Sequence, residues 1–196
     1  MTKLGVLALQ GDVAEHAAMV QSLGVAVSLV KLPEHLDGLD GLIIPGGEST
    51  TIGKLIVAYN LQDELRERAL GGFPIWGTCA GMILLARAIA EDTALPDQPL
   101  IGTMDIRVRR NGFGRQIDSF ETDLAIAPLG QRPFRAVFIR APYIDAVGDG
   151  VAVLARLPEG PIVAARQGKF LATAFHPELT GDPRFHEYFL GMVRGN

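Results

Sequence analysis

Pro74-Ile75-Trp76-Gly77-Thr78-Cys79-Ala80-Gly81-Met82-Ile83-Leu84-Leu85-Ala86-Arg87-Ala88-Ile89-Ala90 carries the pattern on which the fold turns. Pro74–Trp76 reads as a short buried strand and Met82–Ala90 as a helical run. Between them a cysteine stands among small residues, at the junction where a strand of a parallel sheet feeds its covering helix. Outward from this unit the alternation repeats. Leu4–Leu9 reads as a strand. Asp12 can cap a helix whose apolar positions Val13, Ala17, Val20 and Leu23 recur at helical spacing, and Gly24 suits a left-handed terminator. Ala26–Val30 and Gly41–Ile44 are further strands; Thr51–Asn60 and Leu61–Leu70 look helical.

Beyond residue 100 the period changes. Met104, Ile106 and Val108 alternate with Asp105, Arg107 and Arg109, which predicts a half-exposed antiparallel insert rather than a strand buried on both faces. Ala136–Ile139, Val151–Leu157, Ile162–Ala165 and Phe170–Phe175 are strand candidates, and Pro183–Val193 is a last amphipathic helix. Pro and Gly punctuate loops throughout without marking a boundary, so residues 1–196 are expected to form one α/β domain. Its architecture is a three-layer, mostly parallel open sheet with helices on both faces, flavodoxin-like, plus a small antiparallel insert.

Composition narrows the partners. Eighteen Lys and Arg against 22 Asp and Glu give a formal charge of −4, which argues against nucleic acid and against a polybasic membrane module. A single cysteine excludes an intramolecular disulfide framework and fits a reducing cytoplasm. The apolar stretch after Met1 is too short for a signal peptide or a membrane span.

Gly77-Thr78-Cys79-Ala80-Gly81 has the G-x-nucleophile-x-G form of an elbow with cysteine in place of serine. The strained turn and the close approach of the next helix need small neighbours, and Gly77 and Gly81 supply them. A helix N-terminus also favours the thiolate. The plainer reading, a buried cysteine packed as a small hydrophobe, leaves both glycines unexplained. A thiolate nucleophile needs a base and the base an orienting acceptor. His16, His35 and His186 read most simply as surface or satisfied residues. His176 follows an apolar strand and precedes Pro177, which biases it to an extended conformation. Glu178, two residues on, would then lie on the same side. Cys79, His176 and Glu178 form a candidate triad.

Pro45-Gly46-Gly47-Glu48-Ser49, at the end of another strand, can turn backbone N–H groups toward an oxyanion. A phosphate-loop reading of this stretch fails. Five residues instead of four separate Gly47 from Gly53, and Leu55 stands where Ser or Thr is needed. Arg109–Gln116 and Ile139-Arg140 offer guanidinium groups suited to a substrate carboxylate.

Taken together, Gly41–Thr50, Gly77–Gly81 and Phe175-His176-Pro177-Glu178-Leu179 resemble the triad class of glutamine amidotransferases. Leu9-Gln10-Gly11-Asp12, the Arg-Asn-x-Phe-Gly-Arg-Gln stretch at 110–116 and Phe138–Pro142 are similar to the glutaminase subunits of two-component pyridoxal 5′-phosphate synthases. The resemblance spans nearly the entire chain and departs at Gly112, where Ser is expected. It implies that Cys79 attacks the side-chain amide of L-glutamine and forms a glutamyl thioester, with His176 as base and Glu178 orienting it. Gly46, Gly47, Glu48 and Ser49 would be oxyanion-side and substrate contacts, and Arg110, Ile139 and Arg140 glutamine contacts. It implies no metal and no bound cofactor. The implied partner is a barrel synthase subunit that receives the ammonia and activates the glutaminase on docking. Rival readings are a glutaminase serving another synthase, a cysteine hydrolase or peptidase, and a flavodoxin-like binding module.

Overall fold

The computed structural model describes residues 1–90, 98–110, 112, 119–158 and 160–195. In chain order it contains β1 (Lys3–Leu7), α1 (Val13–Ser22), β2 (Ala26–Val30), β3 (Gly41–Ile44), α2 (Ser49–Ala58), α3 (Leu61–Leu70), β4 (Ile75–Thr78) and α4 (Ala80–Leu85). The second half contains β5 (Ala86–Ile89), β6 (Met104–Arg109), β7 (Ser119–Leu124), β8 (Phe134–Ile139), β9 (Tyr143–Val147), β10 (Ala152–Arg156), β11 (Ile162–Gln167), β12 (Phe170–Thr173) and α5 (Arg184–Arg194).

Nine strands follow the order β2-β1-β3-β4-β12-β11-β9-β6-β5, and β10 pairs with β11 to complete the sheet. From β2 to β12 every pairing is parallel. β11 is antiparallel to β12, β9 and β10, and β9 is antiparallel to β6. Helices cover both faces of the mostly parallel sheet, and β7 and β8 form a separate antiparallel hairpin. Burial follows this division: every residue of β3 and β4 is buried, whereas β6 alternates. Central parallel strands have two covered faces and edge-ward strands only one. The antiparallel strands thus extend the main sheet as well as forming the small hairpin.

Several boundaries differ from the sequence reading. The helix expected over Met82–Ala90 ends at Leu85, and Ala86–Ile89 turns extended to pair in parallel with β6. Met82–Leu85 is buried all round, so its pattern holds no polar face to mark where the helix stops. β1 ends at Leu7, α2 begins at Ser49, and β7 and β9 lie where the sequence pattern predicts no strand. Of the arginine stretch, Asn111 and residues 113–116, including Arg115 and Gln116, lie outside the described residues.

The register explains where a site forms. Ile44 pairs with Gly77 and Thr173 with Thr78, so the carboxyl ends of β3, β4 and β12 are level. Pro45-Gly46-Gly47, Cys79 and His176 therefore emerge side by side at one end of the sheet, where ligands bind in open α/β sheets. Beneath them Trp76, Phe134, Phe138, Phe175, Phe185 and Phe189 are fully buried. Trp76 stacks on Phe185, with centroids 6.1 Å apart, and gives the floor a rigid aromatic base. Among the described residues no helix is long and apolar enough to cross a membrane.

Candidate active site

Cys79 occupies the junction of β4 and α4 with φ 48° and ψ −103°, a conformation L-residues rarely adopt and which the surrounding structure must enforce. Its N–H donates to the Thr173 carbonyl of β12 at 2.8 Å, which ties the turn to the neighbouring strand. The flanking glycines are sterically required. A Cβ on Gly77 would collide with the Gly81 backbone and lie 2.7 Å from Met82 N; one on Gly81 would collide with the Ile44 carbonyl oxygen. The elbow form read from the sequence is thus present, with Cys79 7% exposed.

His176 lies beside it, but not on an extended strand. β12 ends at Thr173, and His176 precedes a 3-10 turn, Pro177–Leu179. That turn, rather than strand alternation, brings Glu178 back onto the ring: Nδ1 donates to Glu178 Oε1 at 2.7 Å. Asp12 Oδ2 approaches the same nitrogen at 3.2 Å, which leaves Nε2 as the ring nitrogen available to the thiol of Cys79, a residue lining the same cavity. The His176 N–H donates to Val137 O of β8 at 2.9 Å, so the hairpin holds the residue from behind. Burial opposes charging of the imidazole, but its bonds to Asp12, Cys79 and Glu178 outweigh that and push its pKa up to about 12. Glu178 is buried, and desolvation raises its pKa against the lowering effect of His176. Ligand atoms of Asp12, His176 and Glu178 lie within 4.8 Å of one another; hydrogen bonding around the single Nδ1 proton accounts for that closeness.

The Gly46-Gly47 loop packs directly on this pair. A Cβ on Gly46 would collide with His176 Cε1, and one on Gly47, whose φ is 153°, would lie 2.5 Å from Gln10 Oε1. The Gly46 carbonyl accepts the Asp12 N–H at 3.2 Å, and the Glu48 N–H donates to Gln10 Oε1 at 2.7 Å. The Glu48 carboxylate caps α2, accepting from Thr50 N at 3.0 Å and Thr51 N at 2.7 Å. Partial burial is outweighed by these hydrogen bonds and that from the Thr51 hydroxyl, which draw its pKa down to about 2.

A cavity of about 430 Å³ opens over these groups, within the usual size of small-molecule sites. Cys79, His176, Gly47, Glu48, Ser49, Arg110, Ile139 and Arg140 line it. Gly46 and Glu178 stand behind the lining. All ten site residues read from the sequence therefore converge here. Gln10, Asp12, Ala80, Ile83 and Pro142 complete the wall. Asp12 occupies the cap position of α1 but makes no side-chain cap bond; its carboxylate serves His176 instead, a role no local pattern reveals. His16 and His186, which read from the sequence as surface or satisfied residues, are fully buried, and His186 Nδ1 has no hydrogen-bond partner among the described residues.

The two arginines differ. Arg110 is braced against Gln98 Oε1 at 2.7 Å, Thr50 Oγ1 at 3.3 Å and Glu48 Oε1 at 3.4 Å. Arg140 sits in the left-handed region, φ 41°, lines the cavity and makes no hydrogen bond or ion pair among the described residues. Gly112 has a local reason: its N–H donates to Ala141 O at 3.1 Å, and a Cβ there would collide with the Tyr143 ring.

A thiol on a strained elbow, an imidazole on a buried carboxylate and a glycine loop facing both can carry acyl transfer through a thioester. Comparison with known proteins agrees. The model of the SNO glutamine amidotransferase family matches residues 6–195. This chain belongs to that family. It is a glutamine amidotransferase with glutaminase activity. The pyridoxal 5′-phosphate synthase subunit PdxT of Herpetosiphon aurantiacus is 64% identical over 189 residues, covering 96% of this chain and 99% of that protein. The protein of the same name from Roseiflexus sp. is 56% identical over the same shares. A crystal structure of a glutamine amidotransferase superposes with a TM-score of 0.90 at 52% identity, covering 97% of this chain and 98% of the other. A chain in the structure of PurLQS from Thermotoga maritima, at 17% identity and TM-score 0.68 over 98% of this chain and 98% of the other, shares the fold.

Proposed function

We propose that this chain is the glutaminase subunit of a two-component pyridoxal 5′-phosphate synthase, acting as one cytoplasmic amidotransferase domain. The observation that carries the reading is Cys79 and His176 meeting in one cavity, with Glu178 Oε1 2.7 Å from His176 Nδ1. The Cys79 thiolate adds to the side-chain amide carbon of L-glutamine, and the amide oxygen takes the negative charge. Backbone N–H groups of Ala80, the residue after the nucleophile, and of the Gly46-Gly47 loop receive that oxyanion. As the intermediate collapses the C–N bond breaks, and His176 gives its proton to the departing nitrogen, which leaves as ammonia. Water then attacks the glutamyl thioester while His176 accepts a proton; the C–S bond breaks, releasing glutamate and restoring the thiolate. Glu178 orients the ring and stabilises the imidazolium whenever His176 carries the proton, Arg140 receives the α-carboxylate, and Arg110 braces Glu48 and Thr50 at the cavity wall.

The high identity to subunits of pyridoxal 5′-phosphate synthases supports a partner that consumes the ammonia. Ammonia released into water near neutral pH is mostly protonated and loses its nucleophilicity, so transfer to a docked barrel synthase subunit would keep it reactive. The test is ammonia release from glutamine with and without that subunit. Low release alone, a large increase on mixing and none with Cys79→Ala are expected. Hydrolysis of peptides or esters without ammonia release from glutamine would refute the reading.

A further inference from the structure

Two histidines lie outside the cavity yet touch the groups that build it. His16 on α1 and His186 on α5 are 0% and 1% exposed. Both rings pack edge-on against Trp76, with centroids 5.7 and 4.8 Å from the indole. His16 Nε2 stands 3.1 Å from the Thr78 hydroxyl and 3.2 Å from Glu178 Oε2. Its other nitrogen, Nδ1, is 3.0 Å from His186 Nε2. One imidazole thus bridges the residue preceding Cys79 and the carboxylate that orients His176, which belong to strand ends far apart in the chain.

The placement of protons in this line is determined by what each atom can do. An ionised carboxylate only accepts, so the proton between it and His16 resides on Nε2. A neutral imidazole protonated there has a bare Nδ1, and His186 must donate to it from Nε2. His186 Nδ1 is then a lone pair, and it is the atom that is buried without a partner. The reverse arrangement would set two acceptors 3.2 Å apart at Glu178 and bury an unpaired N–H at His186, which folded proteins avoid more strictly than an unpaired acceptor. Desolvation keeps both rings neutral. The His16 N–H bonds to the Thr78 hydroxyl; among the described residues Glu178 Oε2 is buried with no hydrogen-bond partner, and the positive pole of that N–H, on Nε2 3.2 Å away, faces it.

We propose that His16 is a positioning residue of the glutaminase, aiming its Nε2–H at Thr78 and the outer oxygen of Glu178 while His186 orients it from behind. The inference rests on the reading of Cys79, His176 and Glu178 as the catalytic triad. Glu178 is faced by His176 on Oε1, by His16 on Oε2 and, across the His176 ring, by Asp12, whose charge raises its proton affinity. His16 is faced by His186, Glu178 and His176. Without the His16 N–H dipole 3.2 Å from Oε2 the buried carboxylate loses a positive pole and takes up a proton more readily, and a neutral Glu178 neither orients nor stabilises the His176 imidazolium.

The experiment compares His16→Leu, which removes the donor at similar bulk, with His16→Gln, whose amide N–H can reach the same acceptors. Glutamine hydrolysis is measured against pH in the complex with the synthase subunit. In the Leu variant kcat should fall about tenfold, the effect of about one pH unit of change in the proton affinity of Glu178, with KM within about twofold. The acid limb of kcat/KM should move up and the basic limb down by about one pH unit each, and the Gln variant should restore both limbs. Limbs unmoved in the Leu variant, with only the height of the profile lowered, or a Gln variant no better than Leu, would overturn the proposal. In wild-type protein ¹⁵N NMR of the imidazoles should show His16 as the neutral Nε2–H tautomer from about pH 5.5 to 9. An Nδ1–H tautomer or a titration in that range would overturn it even if the variants fail to fold. An inactive wild-type complex would refute the proposed function, whereas the tautomer tests the hydrogen-bonded line independently of substrate.

Discussion

Replacing Gly46 by alanine isolates the packing of the glycine loop on His176. The position lies outside the left-handed region, so alanine meets no backbone penalty and the effect is steric. The added Cβ would overlap His176 Cε1 and stand 2.9 Å from Asp12 Oδ2 and 3.1 Å from His176 Nδ1. The ring has little room to retreat: it is buried, held by Glu178 at 2.7 Å, and its backbone is bonded to Val137. Relief requires the loop or the imidazole to move by several tenths of an ångström or more. Overpacking of this kind costs about 1–3 kcal/mol, or roughly 2–12 °C in Tm for a chain of this size. The catalytic loss should be larger in proportion, because misplacing a reacting group by about 1 Å can cost about 10²-fold. Thermal unfolding and steady-state glutamine hydrolysis should therefore show a modest fall in Tm and a fall in kcat of about 100-fold. A Gly46→Ala protein within about threefold of wild-type kcat and with an unchanged Tm would refute the argument.

Two further outcomes follow from other strained or buried groups. At Cys79, glycine tolerates the observed φ and alanine does not; strain of about 1–3 kcal/mol less a glycine entropy of about 0.5–1 kcal/mol should leave Cys79→Gly about 1 kcal/mol more stable than Cys79→Ala. Both should release no ammonia from glutamine, and equal Tm values for the pair would show that the elbow stores no strain. Burial pushes the His186 pKa down from 6.5 to about 3, so its contribution is present above pH 6.5 and lost as pH falls toward 3. The slope is up to about 1.4 kcal/mol per pH unit, because the unfolded chain takes the proton that the folded one refuses. Urea unfolding of His186→Phe between about pH 6.5 and 4.5 should lack that slope, and an unaltered pH dependence would contradict the burial argument.

Local chemistry explains why much of the site is legible before any tertiary contact is known. Glycines flanking Cys79 are demanded by the elbow itself, since their Cβ atoms would strike the backbones of Gly81 and Ile44. The Gly46-Gly47 pair declares a loop that must pass close to other groups, and His176-Pro177-Glu178 places acid and base within one turn. For that last pair the fold supplies a different reason from strand alternation: a 3-10 turn folds Glu178 back onto the ring. Where the signal depends on a pattern that both helix and strand satisfy, as over Ala86–Ile89, the local reading fails. Pairing with β6 decided the conformation there.

By itself the chain determined its alternating strands and helices, the strained cysteine turn and the residue types able to perform thiol-based acyl transfer, because steric and covalent constraints act over a few neighbouring positions. Only the tertiary structure decided that Asp12 serves His176 rather than its own helix, that Arg110 is committed to Glu48, Thr50 and Gln98 while Arg140 is unpaired among the described residues, and that His16 and His186 stand behind Glu178. Those roles arise from strands brought level by sheet register and from charges taken out of water together, and neither exists until distant segments are packed.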